Sequence, residues 1–288
     1  MAQAEGSYYI PHGTNWPIIG SIGLTTLLVG FSNYLNGGST GSMMMILGFG
    51  ITIFMMYGWF GTVIRESVAG TYNQQVDFSF RLGMGWFIFS EVMFFAAFFG
   101  ALFYARVLSL PWLLGEGDGV MTNLLLWNDY SEQWPSNGPA NVGGDFGIIP
   151  AFGIPALNTL LLLTSGVTVT FAHWALKNEN RKGLVLWLLA TVVLGFTFVG
   201  FQAYEYAHAY NDLNLTLGSG IYGSTFFMLT GFHGFHVTMG ATMLVVIMLR
   251  AMKGHFSEHN HFAFEAVAWY WHFVDVVWLG LFIFVYWV

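Results

Sequence analysis

Seven long apolar stretches dominate this chain of 288 residues. A helix needs about 20 apolar residues to cross the hydrocarbon core of a bilayer. No stretch shows the period-two alternation of a membrane β-strand, which excludes a β-barrel. We therefore predict an all-α integral membrane protein, with one domain over 1–288. The seven predicted transmembrane helices cover residues 16–35, 42–64, 82–105, 155–176, 183–207, 221–249 and 262–287.

The composition excludes several classes of protein. Only 8% of the residues are charged and the mean hydropathy is +0.61, whereas soluble domains carry about 25% charged residues. Cysteine is absent, so disulfides, thiolate metal sites and cysteine catalysis are excluded. The sequence contains no phosphate-binding loop, nucleophile elbow or zinc-binding His-Glu motif. We expect no self-contained catalytic site and no nucleic-acid partner.

The basic residues predict the orientation of the chain. Seven of the eight lie in or beside the even-numbered loops, and only Arg106 lies on the other side. Because cytoplasmic loops are enriched in Lys and Arg, we predict a cytoplasmic N-terminus and a periplasmic C-terminus at Val288. The long loop over 106–154 is then periplasmic, and its prolines, glycines and carboxylates predict an irregular surface cap. The seven are Arg65, Arg81, Lys177, Arg181, Lys182, Arg250 and Lys253.

Glu91 is an ionisable residue near mid-membrane, in the run WFIFSEVMFFAAFFGALF. It lies nine residues past Leu82, which is about 14 Å at ~1.5 Å per residue. A charge at that depth costs about 2.5–3.5 kcal/mol on insertion scales. Two interpretations remain open. Glu91 is either a carboxyl that exchanges protons or a neutral acid hydrogen-bonded to a neighbouring helix.

Histidines and carboxylates also occur in the last two stretches. His233 and His236 share a face of the sixth helix because they are three residues apart. Haem or metal ligation is one interpretation, and hydrogen bonding between helices is the more common role of such residues. Glu265, His272 and Asp275 line one face of the seventh helix, and we predict a polar seam shared with the two histidines. His261 extends this stripe, whereas helix ends explain His173, Glu205 and His208.

Several of these motifs resemble subunit III of cytochrome c oxidase, and the resemblance covers nearly the whole chain. The N-terminal run SYYIPHGTNWPIIG resembles bacterial members rather than mitochondrial ones. The matching runs are VIRES at 63–67, GWFIFSEVMFFAAFFGALF at 85–103, LNTLLLLTSGVTVTFAHWAL at 157–176, YGSTFFMLTGFHGFHVTMG at 222–240 and HFAFEAVAWYWHFVDVVWLGLFIFVYW at 261–287.

The resemblance implies a non-redox core subunit of a respiratory oxidase in the bacterial inner membrane. Its partners would be the catalytic subunit I, subunit II and, in some complexes, small subunits or a respiratory supercomplex. Haem and copper would belong to those partners, and this chain would hold no metal. The first two helices would splay from a five-helix bundle and leave a cleft for phospholipids. The subunit would support proton uptake by subunit I and its stability while oxygen is reduced to water.

The resemblance also implies roles for individual residues. Glu91 matches the family's carbodiimide-reactive carboxyl. Arg250 matches a contact to lipid phosphate, and Arg65 and Trp59 match positions near the same cleft. Residues 71–72 replace a histidine of mitochondrial members, which removes one expected lipid contact.

Other functions remain as alternatives. The closest is subunit III of a quinol oxidase or of another haem-copper oxidase, such as a nitric oxide reductase assembly. A proton-coupled transporter built on Glu91 predicts broken helices or an inverted repeat, and the sequence shows neither. A b-type cytochrome would use His233 and His236 as haem ligands.

Overall fold

The computed structural model describes residues 13–131 and 134–287. Within those ranges every regular element is helical, and seven helices are long and apolar enough to cross a membrane. The predicted all-α class with seven spans is therefore confirmed. Glu132 and the predicted positions of the two chain termini lie outside the described residues. The helices are α1 (Trp16–Leu35), α2 (Gly41–Val68), α3 (Gln74–Phe103), α4 (Ile154–Lys177), α5 (Arg181–Asp212), α6 (Gly220–Met252) and α7 (Phe262–Leu281).

Of the seven helices, α3 extends furthest beyond its predicted apolar stretch. α3 begins at Gln74 rather than at 82, because backbone hydrogen bonds continue the helix through polar residues that hydropathy does not count. α3 then continues through a π-helical turn at Tyr104–Ser109, and α7 continues through another at Phe282–Trp287. Both π-helical turns lie opposite the end of the molecule that carries the loops rich in Lys and Arg. We call that end the basic end.

The described chain divides into two compact units, with the boundary between Phe80 and Arg81. In the first unit α1 packs against α2. A Cβ atom added to Gly48 would lie 2.4 Å from the backbone nitrogen of Leu27, so the two backbones touch where glycine permits it. The single domain, the splay of the first two helices and the lipid cleft stay predictions.

In the second unit α4, α5, α6 and α7 pack in chain order, and α7 also contacts α4. Large aromatic side chains fill the centre, where Trp271, Trp278, Phe198 and Phe226 are almost fully buried. The indole nitrogen of Trp271 donates to the Ser165 hydroxyl oxygen at 2.9 Å. This buried donor is therefore satisfied, as an apolar interior requires.

The loop over 106–154 forms a cap on the end opposite the basic end. Its backbone is tied down by a hydrogen bond from the Gly147 nitrogen to the Leu213 oxygen at 2.8 Å. Phe146 stacks on Tyr222 with ring centroids 5.4 Å apart. The predicted irregular cap also contains a short helix at Val120–Leu126, which is too brief for periodicity to indicate.

Candidate functional site

Glu91 on α3 is hydrogen-bonded to His236 on α6. The Glu91 Oε2 and His236 Nε2 atoms are 2.9 Å apart, and the side chains are 22% and 10% exposed. The imidazole is enclosed by aromatic rings, including Phe95 at 5.1 Å and Tyr270 at 6.3 Å between centroids. The carboxyl is thus joined to a neighbouring helix, and its partner is a titratable group.

The hydrogen bonds of His236 fix its tautomer. Its Nδ1 lies 2.6 Å from the backbone oxygen of Phe232, and because a carbonyl only accepts, Nδ1 must carry a hydrogen. Nε2 then either accepts from a protonated Glu91 or donates to an ionised one. Both states contain the same number of protons and no net charge. The pair therefore shares one proton at low electrostatic cost inside the bundle.

His233 is fully buried and has a different partner. Its Nε2 donates to the backbone oxygen of Val274 on α7 at 3.2 Å. Trp278 and Phe198 pack against the imidazole, with centroids 5.1 and 5.6 Å away. The nitrogen that a haem iron would use is therefore engaged with a carbonyl, which favours the hydrogen-bonding interpretation of this histidine.

His272 and Asp275 face α4. The His272 Nδ1 and Asp275 Oδ2 atoms are 3.7 Å apart, and His272 Nε2 lies 3.5 Å from the Thr170 hydroxyl oxygen. A Cβ atom added to Gly166 would lie 2.4 Å from Asp275 Oδ2, so glycine allows the carboxyl to approach α4. The structure does not bring the five residues of the predicted seam together.

A third polar group lies near the basic end and joins three helices. Glu265 forms an ion pair with Arg81 through one carboxylate oxygen. Its other oxygen lies 3.4 Å from His261 Nε2 and 3.7 Å from His173 Nε2. Sequence reasoning assigned Arg81 to a loop edge and His173 to a helix end, and it did not connect them. The sequence indicated one part of this polar group, because the four-residue spacing of His261 and Glu265 predicts that the two side chains lie close together.

Three side chains of this polar group are placed so that they could coordinate a metal ion. One ligand atom each from His173, His261 and Glu265 lies within 4.8 Å of the others. Two imidazoles and a carboxylate suit a divalent transition metal. The Arg81 guanidinium on the same carboxylate opposes the binding of a cation, because it already neutralises that charge. The absence of a metal from this chain stays a prediction.

Glu205 does not lie at a solvated helix end, and that interpretation was wrong. The side chain is 2% exposed, and the Tyr286 hydroxyl donates to its Oε1 at 2.5 Å. Hydropathy places Glu205 near the end of α5, but the C-terminal π-helical turn covers it. His208, in contrast, is exposed and lies 2.7 Å from Asp212, as a helix end explains.

The three residues matched to lipid contacts differ in environment. Arg250 is 8% exposed, its guanidinium lies 4.7 Å from the Phe256 ring centroid, and its Nε has no partner among the described residues. Burial, with Arg250 and Lys253 nearby, lowers the pKa of His255.

In the first unit Arg65 is exposed and donates to the Thr62 hydroxyl oxygen at 3.1 Å. Trp59 is 48% exposed. At 71–72, where the resemblance places a histidine in mitochondrial members, the Tyr72 hydroxyl donates to Glu66 Oε2 at 2.8 Å.

The fold and these paired groups define a seven-span helical membrane protein whose ionisable side chains bind one another inside the bundle. A family model for cytochrome c oxidase subunit III matches residues 6–117 and 127–288. The chain belongs to the cytochrome c oxidase subunit III family, as its motifs indicated. It is therefore a subunit of a respiratory oxidase complex.

Curated relatives match over nearly their full length. Cytochrome c oxidase subunit 3 of Marchantia polymorpha is 40% identical over 281 residues, which is 97% of this chain and 96% of that relative. The same subunit of Felis catus is 38% identical over 290 residues, which is 100% of this chain and 99% of that relative. These relatives come from a plant and an animal, so the predicted bacterial source of this chain stays a prediction.

Proposed function

We propose that this chain is the non-redox subunit III of a cytochrome c oxidase and that it supports subunit I in proton uptake and in stability during turnover. The observation that carries the proposal is the hydrogen bond between Glu91 and His236. A carboxyl and an imidazole that share one proton can accept or release another without a large structural change. The 22% exposure of the Glu91 side chain leaves that group open to an external proton donor or acceptor.

Structural phospholipid is the second part of the proposed function. The proposed headgroup contacts are Arg250, Arg65 and Trp59. A guanidinium donates paired hydrogen bonds to phosphate, and the unpartnered Nε of Arg250 is a donor that a phosphate oxygen would satisfy. The exposed Trp59 ring suits the headgroup region, where tryptophan is enriched.

The proposed location is a bacterial inner membrane, with the basic end facing the cytoplasm. The positive-inside distribution of Lys and Arg supports this orientation. The proposed partners are subunit I, as the main contact, and subunit II. Haem and copper would lie in those chains, where oxygen reduction takes place, because this chain has no cysteine and His233 and His236 already have protein partners.

Removal of the subunit tests this division of labour. We expect the oxidase without this chain to keep its haem and copper absorption bands, while its activity declines faster with successive turnovers. Adding back the wild-type chain should restore the slower decline. Loss of a haem band on removal would contradict a non-redox role.

Co-purification of a copper-binding subunit II in mild detergent would distinguish a cytochrome c oxidase from a quinol oxidase.

A further inference from the structure

An apolar groove lies at the end of the bundle opposite the basic end. It has a volume of about 550 Å³, within the range of about 300–1,000 Å³ that ligand pockets occupy. Phe99, Leu102 and Val107 form one wall, and Gly280 and Phe284 form the other. A side chain at 280 would narrow the groove, since a Cβ atom there would lie 3.2 Å from the Phe99 ring.

Arg106 is the one charged side chain among the described residues that line this groove. It is partly buried and forms no hydrogen bond or ion pair with the residues that the structure describes. It is also the single Lys or Arg on its side of the membrane, where the loop carries five carboxylates, Glu116, Asp118, Asp129, Glu132 and Asp145. An arginine that pairs with no carboxylate among the described residues, at the edge of an apolar groove, is complementary to an anionic group with an apolar tail.

The level of Arg106 in the membrane follows from the aromatic residues around it. Tyr104, Trp112 and Trp287 are 62%, 49% and 58% exposed at this end. Exposed Tyr and Trp are enriched at the headgroup level. Phe99 precedes Arg106 by seven residues, so it lies about 10 Å deeper at ~1.5 Å per residue. The charge therefore lies at the headgroup level, and the apolar walls extend towards the hydrocarbon.

Both walls contain a π-helical turn, at Tyr104–Ser109 and at Phe282–Trp287. Such turns are rare and frequently occur at functional sites. Here the first π-helical turn carries Arg106 and Val107, and the second carries Phe284. The two irregular turns therefore supply the headgroup-level rim of the groove.

We propose that this groove binds one anionic phospholipid, with its phosphate on Arg106 and one acyl chain between α3 and α7. The orientation matches that of a lipid in the surrounding leaflet. This site is distinct from the Arg250 site, which lies at the basic end, and it does not depend on the proposed role in proton uptake.

The test uses the assembled oxidase, delipidated in detergent and then given phosphatidylglycerol or phosphatidylcholine, with retained lipid counted by native mass spectrometry. We expect Arg106→Gln and Val107→Trp each to retain one phosphatidylglycerol fewer than the wild type. Arg106→Lys and Leu108→Trp should match the wild type. Leu108 is the matched control because it is 51% exposed on the same turn but does not line the groove.

A photo-reactive benzoylphenylalanine at Val107 identifies the occupant. Cross-linking to phospholipid supports the proposal, whereas cross-linking to a partner subunit would overturn it. Equal lipid retention in all four variants would also overturn it. A loss of lipid in Arg250→Ala but not in Arg106→Gln would reject this site alone and leave the proposed lipid contacts at the basic end intact.

Discussion

At the scale of single residues, three carboxyl side chains of the second unit each have a specific partner on another part of the chain. Glu91 is bound to His236, Glu205 to Tyr286 and Glu265 to Arg81. A carboxyl left without a partner in such an environment costs about 1–3 kcal/mol or more. The identity of each partner therefore decides what a substitution does.

The pairing of Glu91 with His236 predicts opposite consequences for two substitutions. Glu91→Gln preserves the hydrogen bond, because the amide donates to Nε2 of His236, so stability should change by less than about 0.5 kcal/mol. His236→Phe removes the partner of the carboxyl and should destabilise the bundle by about 1–3 kcal/mol. Thermal release of this subunit from the oxidase measures both effects.

The turnover rate of the oxidase distinguishes a packing role of Glu91 from a role in proton exchange. If Glu91 exchanges protons, Glu91→Gln slows turnover most at alkaline pH, where the supply of protons limits the rate. Normal turnover of Glu91→Gln across the alkaline range would assign the carboxyl a packing role only.

The proposed lipid contact of Arg250 predicts that replacing this residue releases lipid at the basic end. Arg250→Ala removes a buried guanidinium whose Nε has no partner among the described residues, and the purified oxidase should retain less phospholipid by mass spectrometry. Arg250→Lys keeps the charge but loses the paired geometry, so its retention should be intermediate. Lys253→Ala is the matched control because Lys253 is exposed just beyond the helix. Equal lipid content in Arg250→Ala and Lys253→Ala would reject the contact.

At the scale of helices, two glycines admit the central tryptophan of the second unit. A Cβ atom on Gly195 would lie 2.7 Å from the Trp271 ring, and one on Gly240 would lie 2.8 Å from it. Trp271 is fully buried and bonded to Ser165, so it has little freedom to move. Helices α5, α6 and α7 therefore approach each other at distances that these glycines set.

This packing predicts that Gly195→Ala destabilises the bundle. Overpacking costs about 1–3 kcal/mol, which exceeds the gain of about 1 kcal/mol from replacing a helical glycine. Gly200→Ala is the control on the same helix, since a Cβ atom there meets nothing within 4 Å, and it should be neutral or stabilising. Thermal unfolding of the two variants in detergent measures the difference. A more stable Gly195→Ala than Gly200→Ala would contradict the packing argument.

The same scale shows why sequence predicted some features and not others. Hydropathy located all seven helices because a membrane span requires a continuous apolar run. It placed the start of α3 too late, because helical hydrogen bonding does not stop where Asp77 and Arg81 begin. It misjudged Glu205 because depth along one helix does not reveal that another chain segment covers the side chain. The partners of His233 and His236 were missed for the same reason. They depend on how α6 is rotated relative to α3 and α7, which is set by the packing of the helices.

At the scale of the whole molecule, the distribution of charge predicts which side of the membrane each loop faces. Seven of the eight Lys and Arg residues occur on one side. The loop between α6 and α7 should therefore be cytoplasmic, and the long loop after α3 should be periplasmic. Because the chain has no cysteine, one introduced thiol reports on one loop without a native background from this subunit.

We expect a membrane-impermeant maleimide to label Asp129→Cys in intact cells and to label Glu258→Cys only after the membrane is opened. Both positions are exposed in the structure, so both thiols should react fully in detergent, which is the control for accessibility. The physical reason is the cost of moving several Lys and Arg side chains across the bilayer during insertion, which fixes the basic loops on the cytoplasmic side. Labelling of Glu258→Cys but not Asp129→Cys in intact cells would reverse the orientation. It would also place Arg106, and the lipid that it binds, in the cytoplasmic leaflet.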